Sequence, residues 1–140
     1  MLVWDYRTAR ERQVAIGDCS LDIVAKEQVL FNMDLLRPAL RFRDFAERCW
    51  PVPDAYAAKR CIMMLHGVGF VDEYPSVPYA PDWDTWGDDG VFESNMVVPV
   101  ESYIGETGGP DGVKLEQQVL ITADGAVQLS RTPLLDALEP

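Results

Sequence analysis

The chain holds a single histidine, His66, in Leu65-His66-Gly67-Val68-Gly69, at the end of the apolar run Cys61–Leu65. An imidazole can ligate a metal or carry a proton, and the glycines after it let the backbone bend and approach a bound group closely. Taken alone, a half-buried histidine with a hydrogen-bond partner at a strand end is the plainer reading. Two glutamates add to it. Glu101 lies within Met96-Val97-Val98-Pro99-Val100-Glu101-Ser102-Tyr103-Ile104, and Glu116 within Val113-Lys114-Leu115-Glu116-Gln117-Gln118-Val119-Leu120-Ile121. Both runs are rich in strand formers. A buried, unpaired carboxylate costs several kcal/mol, so such residues are paired or bound to metal. The alternative is that each faces solvent, because strand side chains alternate; Lys114 and Gln118 share Glu116's face. If the two runs are neighbours in one sheet, both carboxylates can project from the same face. One imidazole and two carboxylates make a hard, oxygen-rich set suited to iron, manganese or zinc.

The elements that must position these residues fall into two halves. Asp18 or Ser20 can cap a helix that runs to about Leu36, where Pro38 forbids continuation. Phe42, Phe45, Ala46 and Cys49 recur at helical spacing with charged residues between them, which predicts a second, short helix ending at Trp50-Pro51. The first seventeen residues show no clear period. Beyond residue 60 the pattern is β: a strand from Cys61, a loop over residues 76–89, a strand over 96–104, and a hairpin of 113–121 with 126–130 across Ala123-Asp124-Gly125. Helices followed by strands argue for an α+β fold, an antiparallel sheet with helices on one face.

His66-Gly67-Val68-Gly69, Asp72-Glu73-Tyr74-Pro75, Val98-Pro99-Val100-Glu101 and Gly112-Val113-Lys114-Leu115-Glu116 occur in that order, 35 residues separating His66 from Glu101 and 15 more reaching Glu116. This ordered set resembles the C-terminal half of the creatinase/prolidase/methionine-aminopeptidase family, over roughly residues 18–135. The resemblance implies the C-terminal part of a pita-bread (creatinase/aminopeptidase) fold for residues 18–140, with residues 1–17 a remnant of the upstream part of the catalytic domain. It also implies a dinuclear site holding two divalent metal ions. His66 would be the metal histidine, Glu101 the second ligand on that metal, and Glu116 the bridging carboxylate. Of the family's two aspartate ligands, Asp5 in Asp5-Tyr6-Arg7-Thr8 is the only candidate.

Peptidases of this family carry a further histidine about seven residues after the metal histidine. Here the matching position is Asp72, once a one-residue gap is allowed. A carboxylate accepts a proton; it does not donate one to an oxyanion at neutral pH unless its pKa is strongly raised. With Tyr103-Ile104-Gly105-Glu106 and the segment Val113–Thr122, this aspartate resembles the branch containing the metal-dependent dimethylsulfoniopropionate lyases. The expectation that follows is C–S cleavage by β-elimination with Asp72 as base. An Xaa-Pro aminopeptidase/dipeptidase-like metallohydrolase is one competing reading. A truncated, inactive fragment that binds metal weakly is the other.

Net charge is −11, which disfavours nucleic acid as a partner. No run of eighteen apolar residues is present, and the first twelve residues lack the apolar stretch of a signal peptide. Cys19, Cys49 and Cys61 form neither a disulfide framework nor a zinc motif, so a reducing, cytoplasmic setting is expected. The expected partner is a small-molecule carboxylate substrate, with self-association or a homodimer through the surface where a missing half would pack. Asp82, Asp84 and Glu93 imitate a calcium loop, but Trp86 cannot ligate, and the prolines leave no entering helix. Trp83, Trp86, Tyr74 and Tyr79 could cage a sulfonium cation or could simply anchor the loop. Cys61 could lie beside the site, though burial in the core is the simpler role.

Overall fold

The computed structural model describes residues 2–5, 10–13 and 20–131; for the first two stretches, Ser20 and Asp72, only the backbone course is described. Asp18 and Cys19 lie outside the described residues. In chain order the elements are β1 (Leu2–Asp5), β2 (Arg10–Gln13), α1 (Ser20–Leu35), α2 (Phe42–Arg48), α3 (Asp54–Ala57), β3 (Met63–Val68), β4 (Asp72–Pro78), a single 3₁₀ turn (Ala80–Asp82), α4 (Trp83–Trp86), β5 (Val97–Ile104), β6 (Val113–Thr122) and β7 (Gly125–Gln128). Strands β1 and β2 pair as a hairpin in a segment whose sequence shows no period. The other five form one antiparallel sheet in the order β4-β3-β5-β6-β7.

Strand alternation divides the sheet into two chemically different faces. On β5 and β6, Val98 lies opposite Val119, Val100 opposite Gln117 and Ile104 opposite Val113. These residues are buried, and α1 lies across this side of β5 and β6. The intervening residues, Glu101 opposite Glu116 and Tyr103 opposite Lys114, project from the other face.

The inward stripe of α1 is Asp22, Ala25, Gln28, Val29 and Asn32, the spacing of one helical face, and Leu36 continues it just past the helix end. Two of its buried polar groups have defined partners. Asn32 Oδ1 accepts from the Trp50 N–H at 2.8 Å, and the neighbouring Gln28 Nε2 donates to the Tyr79 hydroxyl at 2.7 Å. Helix α2 is held by aromatic contacts: Phe42 and Phe45 meet Phe92 edge-on at 4.7 and 5.6 Å, all three fully buried. Phe42 also meets Tyr74 of β4 at 5.8 Å, which ties the outer strand of the sheet to the helical half.

The segment 76–89, expected as a loop, contains regular structure. Its first residues complete β4, and the 3₁₀ turn and α4 follow. Pro75 and Pro78 argue against a central strand, but β4 is the edge strand, where a missing N–H breaks no ladder on the outer side. Asp88 covers that edge. Its carboxylate accepts from the Ser76 N–H at 2.8 Å, and its own N–H donates to the Ser76 carbonyl at 3.1 Å. The short helix α3 was also unanticipated, and β7 ends at Gln128 rather than residue 130.

Gly67 is required by close backbone approach. A β-carbon there would lie 2.1 Å from the Tyr74 carbonyl oxygen, which is backbone and cannot move aside as a side chain would. Gly67→Ala should therefore destabilise the fold by about 1–3 kcal/mol, as overpacking does. A thermal melt several degrees below wild type is the expected reading; an unchanged melt would contradict the contact.

Candidate metal centre

His66 is the fourth residue of β3, and its placement is set by an irregularity beside it. The pairing runs His66 opposite Ser76 and then Gly67 opposite Glu73, so two residues of β4 are left over between those pairs. A bulge of this kind re-aims the neighbouring side chain. His66 Nδ1 lies 2.7 Å from the carbonyl oxygen of Gly67, and Nε2 lies 3.2 Å from Glu101 Oε1. Glu101 and Glu116 sit directly across from each other on β5 and β6. One ligand atom from each of His66, Glu101 and Glu116 lies within 4.8 Å of the others. Among the described residues, this is the one group of at least three histidine, cysteine or acidic side chains that converges so.

The donor–acceptor pattern explains why a cation suits this point. With Nδ1 donating to the Gly67 carbonyl, a neutral His66 presents Nε2 as an acceptor, and it faces a carboxylate oxygen that is also an acceptor. A metal ion between them turns that opposition into two coordinate bonds, and a backbone hydrogen bond to the other ring nitrogen is the usual way of orienting a ligand histidine. Two ligands on one zinc-like ion stand about 3–3.4 Å apart, given bond lengths near 2.0–2.2 Å. The 3.2 Å spacing matches this. The residues present therefore fit a divalent metal.

The two carboxylates differ in setting. Glu101 is 7% exposed, in keeping with a carboxylate that needs a partner. The Glu116 side chain is 39% exposed, so the solvent-facing alternative describes it in part. The residue that sequence reasoning underrated is Lys114, which it treated only as a mark of a solvated face. Its Nζ lies 3.0 Å from Glu101 Oε1 and 3.7 Å from Glu116 Oε2. The signal was its two-residue offset from Glu116, which puts both on one face of β6.

Asp72, the expected base, is the first residue of β4, opposite Val68 and just beyond the β3–β4 turn. Its side chain lies outside the described residues, as does that of Asp5 in β1. Two of the four aromatics weighed for a cage serve as buried anchors. Trp83 is buried in the core with the Arg43 guanidinium 5.0 Å from its ring centre, and Tyr79 is buried with that of Arg60 at the same distance. Two of the three acidic residues of the calcium-like loop lie beside arginines: Asp82 pairs with Arg60 at 2.7 Å, and the exposed Asp84 lies 3.7 Å from Arg43. Burial pushes the Cys61 thiol up to about 11, and the Glu101 carboxylate adds to the shift. At neutral pH Cys61 is thus a protonated thiol, donating to the Met63 carbonyl at 2.9 Å. No helix among the described residues is long and apolar enough to cross a membrane.

Two curated relatives, each named dimethylsulfoniopropionate lyase DddP, are similar to this chain. The one from Roseovarius nubinhibens is 37% identical over 115 residues, 81% of this chain and 26% of the relative. The one from Roseobacter denitrificans is 35% identical over 113 residues, 80% of this chain and 25% of the relative. The chain thus spans about a quarter of the length of the curated relatives it matches. Among solved structures, the prolidase from Pyrococcus horikoshii OT3 superposes with a TM-score of 0.65 at 22% identity, covering 86% of this chain and 33% of that one. That likeness shows a shared fold: the C-terminal part of the pita-bread architecture, an antiparallel sheet with helices on one face. Residues 20–123 match Metallopeptidase family M24, a span that takes in the whole His66–Glu101–Glu116 cluster, and the chain belongs to that family.

Proposed function

We propose that His66, Glu101 and Glu116 hold divalent metal in a dimethylsulfoniopropionate-lyase-like enzyme, and that Asp72 is its base. The observation that carries the metal is the convergence of one imidazole and two carboxylates on one face of the sheet. The observation that favours the lyase is the identity of 35–37% to relatives of that name; the resemblance that sets Asp72, across a one-residue gap, where the peptidases carry a histidine supports the same reading. Bound metal, whether iron, manganese or zinc, would hold the substrate carboxylate and acidify the adjacent carbon. The Asp72 carboxylate takes the proton from that carbon. The new C=C bond forms from the C–H electrons as the C–S bond breaks, and its electron pair leaves with dimethyl sulfide, so acrylate remains.

A complete centre in this reading holds two metals, and needs aspartates beyond the three clustered residues. The 140-residue chain alone should accordingly bind metal weakly, because three ligands leave one ion under-coordinated. We read residues 18–140 as the C-terminal part of the catalytic domain and residues 1–17 as belonging to its upstream part. Apolar side chains at the β3–β4 tip, Phe70 at 99% and Val71 at 66% exposure, suit packing against a further part of such a domain or a second copy. The prolidase-like fold keeps an Xaa-Pro hydrolase as the second reading.

The deciding experiment joins this chain to an upstream segment carrying the two aspartates and assays both reactions with manganese. Acrylate released from dimethylsulfoniopropionate, without cleavage of Xaa-Pro dipeptides, is expected. Dipeptide cleavage without acrylate would establish the second reading instead.

A further inference from the structure

We propose that Lys114 is a resident counter-cation of the metal centre: its ammonium holds Glu101 and Glu116 together until a divalent ion arrives, then swings out. The inference rests on the metal-binding reading of the cluster. Lys114 Nζ donates to Glu101 Oε1 at 3.0 Å and lies 3.7 Å from Glu116 Oε2. The oxygen it holds is also the one His66 Nε2 approaches at 3.2 Å. An incoming ion must bind that atom at about 2.0–2.2 Å. An ammonium left in place would then lie within roughly 5 Å of a doubly charged ion, at a site with little solvent on the Glu101 side.

Lys114 can yield its place without rearranging the sheet. Its side chain is 36% exposed, and its four-carbon stem has the reach to carry the charge toward solvent. The backbone of β6 stays paired with β5, Lys114 opposite Tyr103. The same charge that opposes the metal has a use before it binds. Glu101 and Glu116 face each other directly across two strands, where like charges repel. Lys114 offsets that repulsion and keeps the ligands gathered. The cost is a lower apparent affinity for metal.

The test is titration of Mn²⁺ into the 140-residue chain by calorimetry, for wild type, Lys114→Met, Lys114→Arg and Glu101→Gln. Lys114→Met should bind Mn²⁺ on the order of tenfold more tightly, because a like charge is removed from the ion's surroundings. Lys114→Arg, which keeps the charge, should stay within about threefold of wild type. Circular dichroism shows whether each variant is folded, and Lys114→Gln replaces the methionine variant if that one is not. Equal or weaker binding by the folded neutral variant overturns the inference while leaving the metal site standing. Binding that Glu101→Gln does not weaken shows that the ion sits elsewhere; the metal reading then fails, and the inference falls with it.

Discussion

Glu101→Gln should weaken Mn²⁺ binding by at least about a hundredfold. Substitutions that touch only the groups behind a metal ligand already cost about 10- to 100-fold in affinity. Glu101 is the buried member of the cluster, it faces His66 Nε2 at 3.2 Å, and it lies directly opposite Glu116. An amide keeps the shape but loses the charge and one acceptor atom. Folding should survive, because the change removes a buried charge. Calorimetric titration beside a circular dichroism spectrum separates the two effects. A folded variant with wild-type affinity would remove Glu101 from the centre.

Asp72→Ala should lower acrylate release by about 10²–10⁴-fold in the complete enzyme, the range a positioned general base contributes. Its metals should stay, because Asp72 is proposed as the base and not as a ligand. On the backbone it opens β4, opposite Val68 and two residues along that pairing from His66. Metal analysis of the purified variant, run beside the rate measurement, is the critical control. Loss of metal together with activity would make Asp72 a ligand and withdraw its role as base. Asp72→His probes the same position from the other side: gain of Xaa-Pro cleavage would tie the choice of reaction to this one side chain.

The parts of the fold that could be read in advance are those where one physical rule dominates. Helix α2 shows its apolar face at helical spacing, and Phe42, Phe45 and Ala46 are indeed its buried residues. Strands β5 and β6 read as runs of strand formers and pair over eight registered positions. Helix α1 was read from a capping candidate and a proline stop, not from its pattern; Ser20 is its first residue, and Asp18 lies outside the described residues. Asp22, Gln28 and Asn32 point inward while Ile23, Leu30 and Phe31 stay half exposed, which scrambles the hydrophobic period. Strand β4 was hidden by Pro75 and Pro78, whose tolerance depends on an edge position that no local window contains.

The same division holds for the site. Residue types marked His66, Glu101 and Glu116 as candidates, but the chemistry of each alone left the solvent-facing alternative open. Family resemblance assigned their roles. Their convergence depends on strand register, and Glu101 opposite Glu116 is a fact of pairing across a ten-residue strand and an intervening loop. Lys114 was visible but misjudged, because its effect comes from sharing a face with both carboxylates. For two of the aromatics the anchoring alternative is the one the fold uses. Trp83 and Tyr79 have the right chemistry, but the core and two arginines already occupy them.

The most direct measurement is the anomalous scattering of a crystal of this chain soaked in Mn²⁺. The account predicts a peak on the sheet face away from α1, with His66 Nε2 and oxygens of Glu101 and Glu116 at bonding distance. A peak bound by other residues, with none among these three, would contradict it.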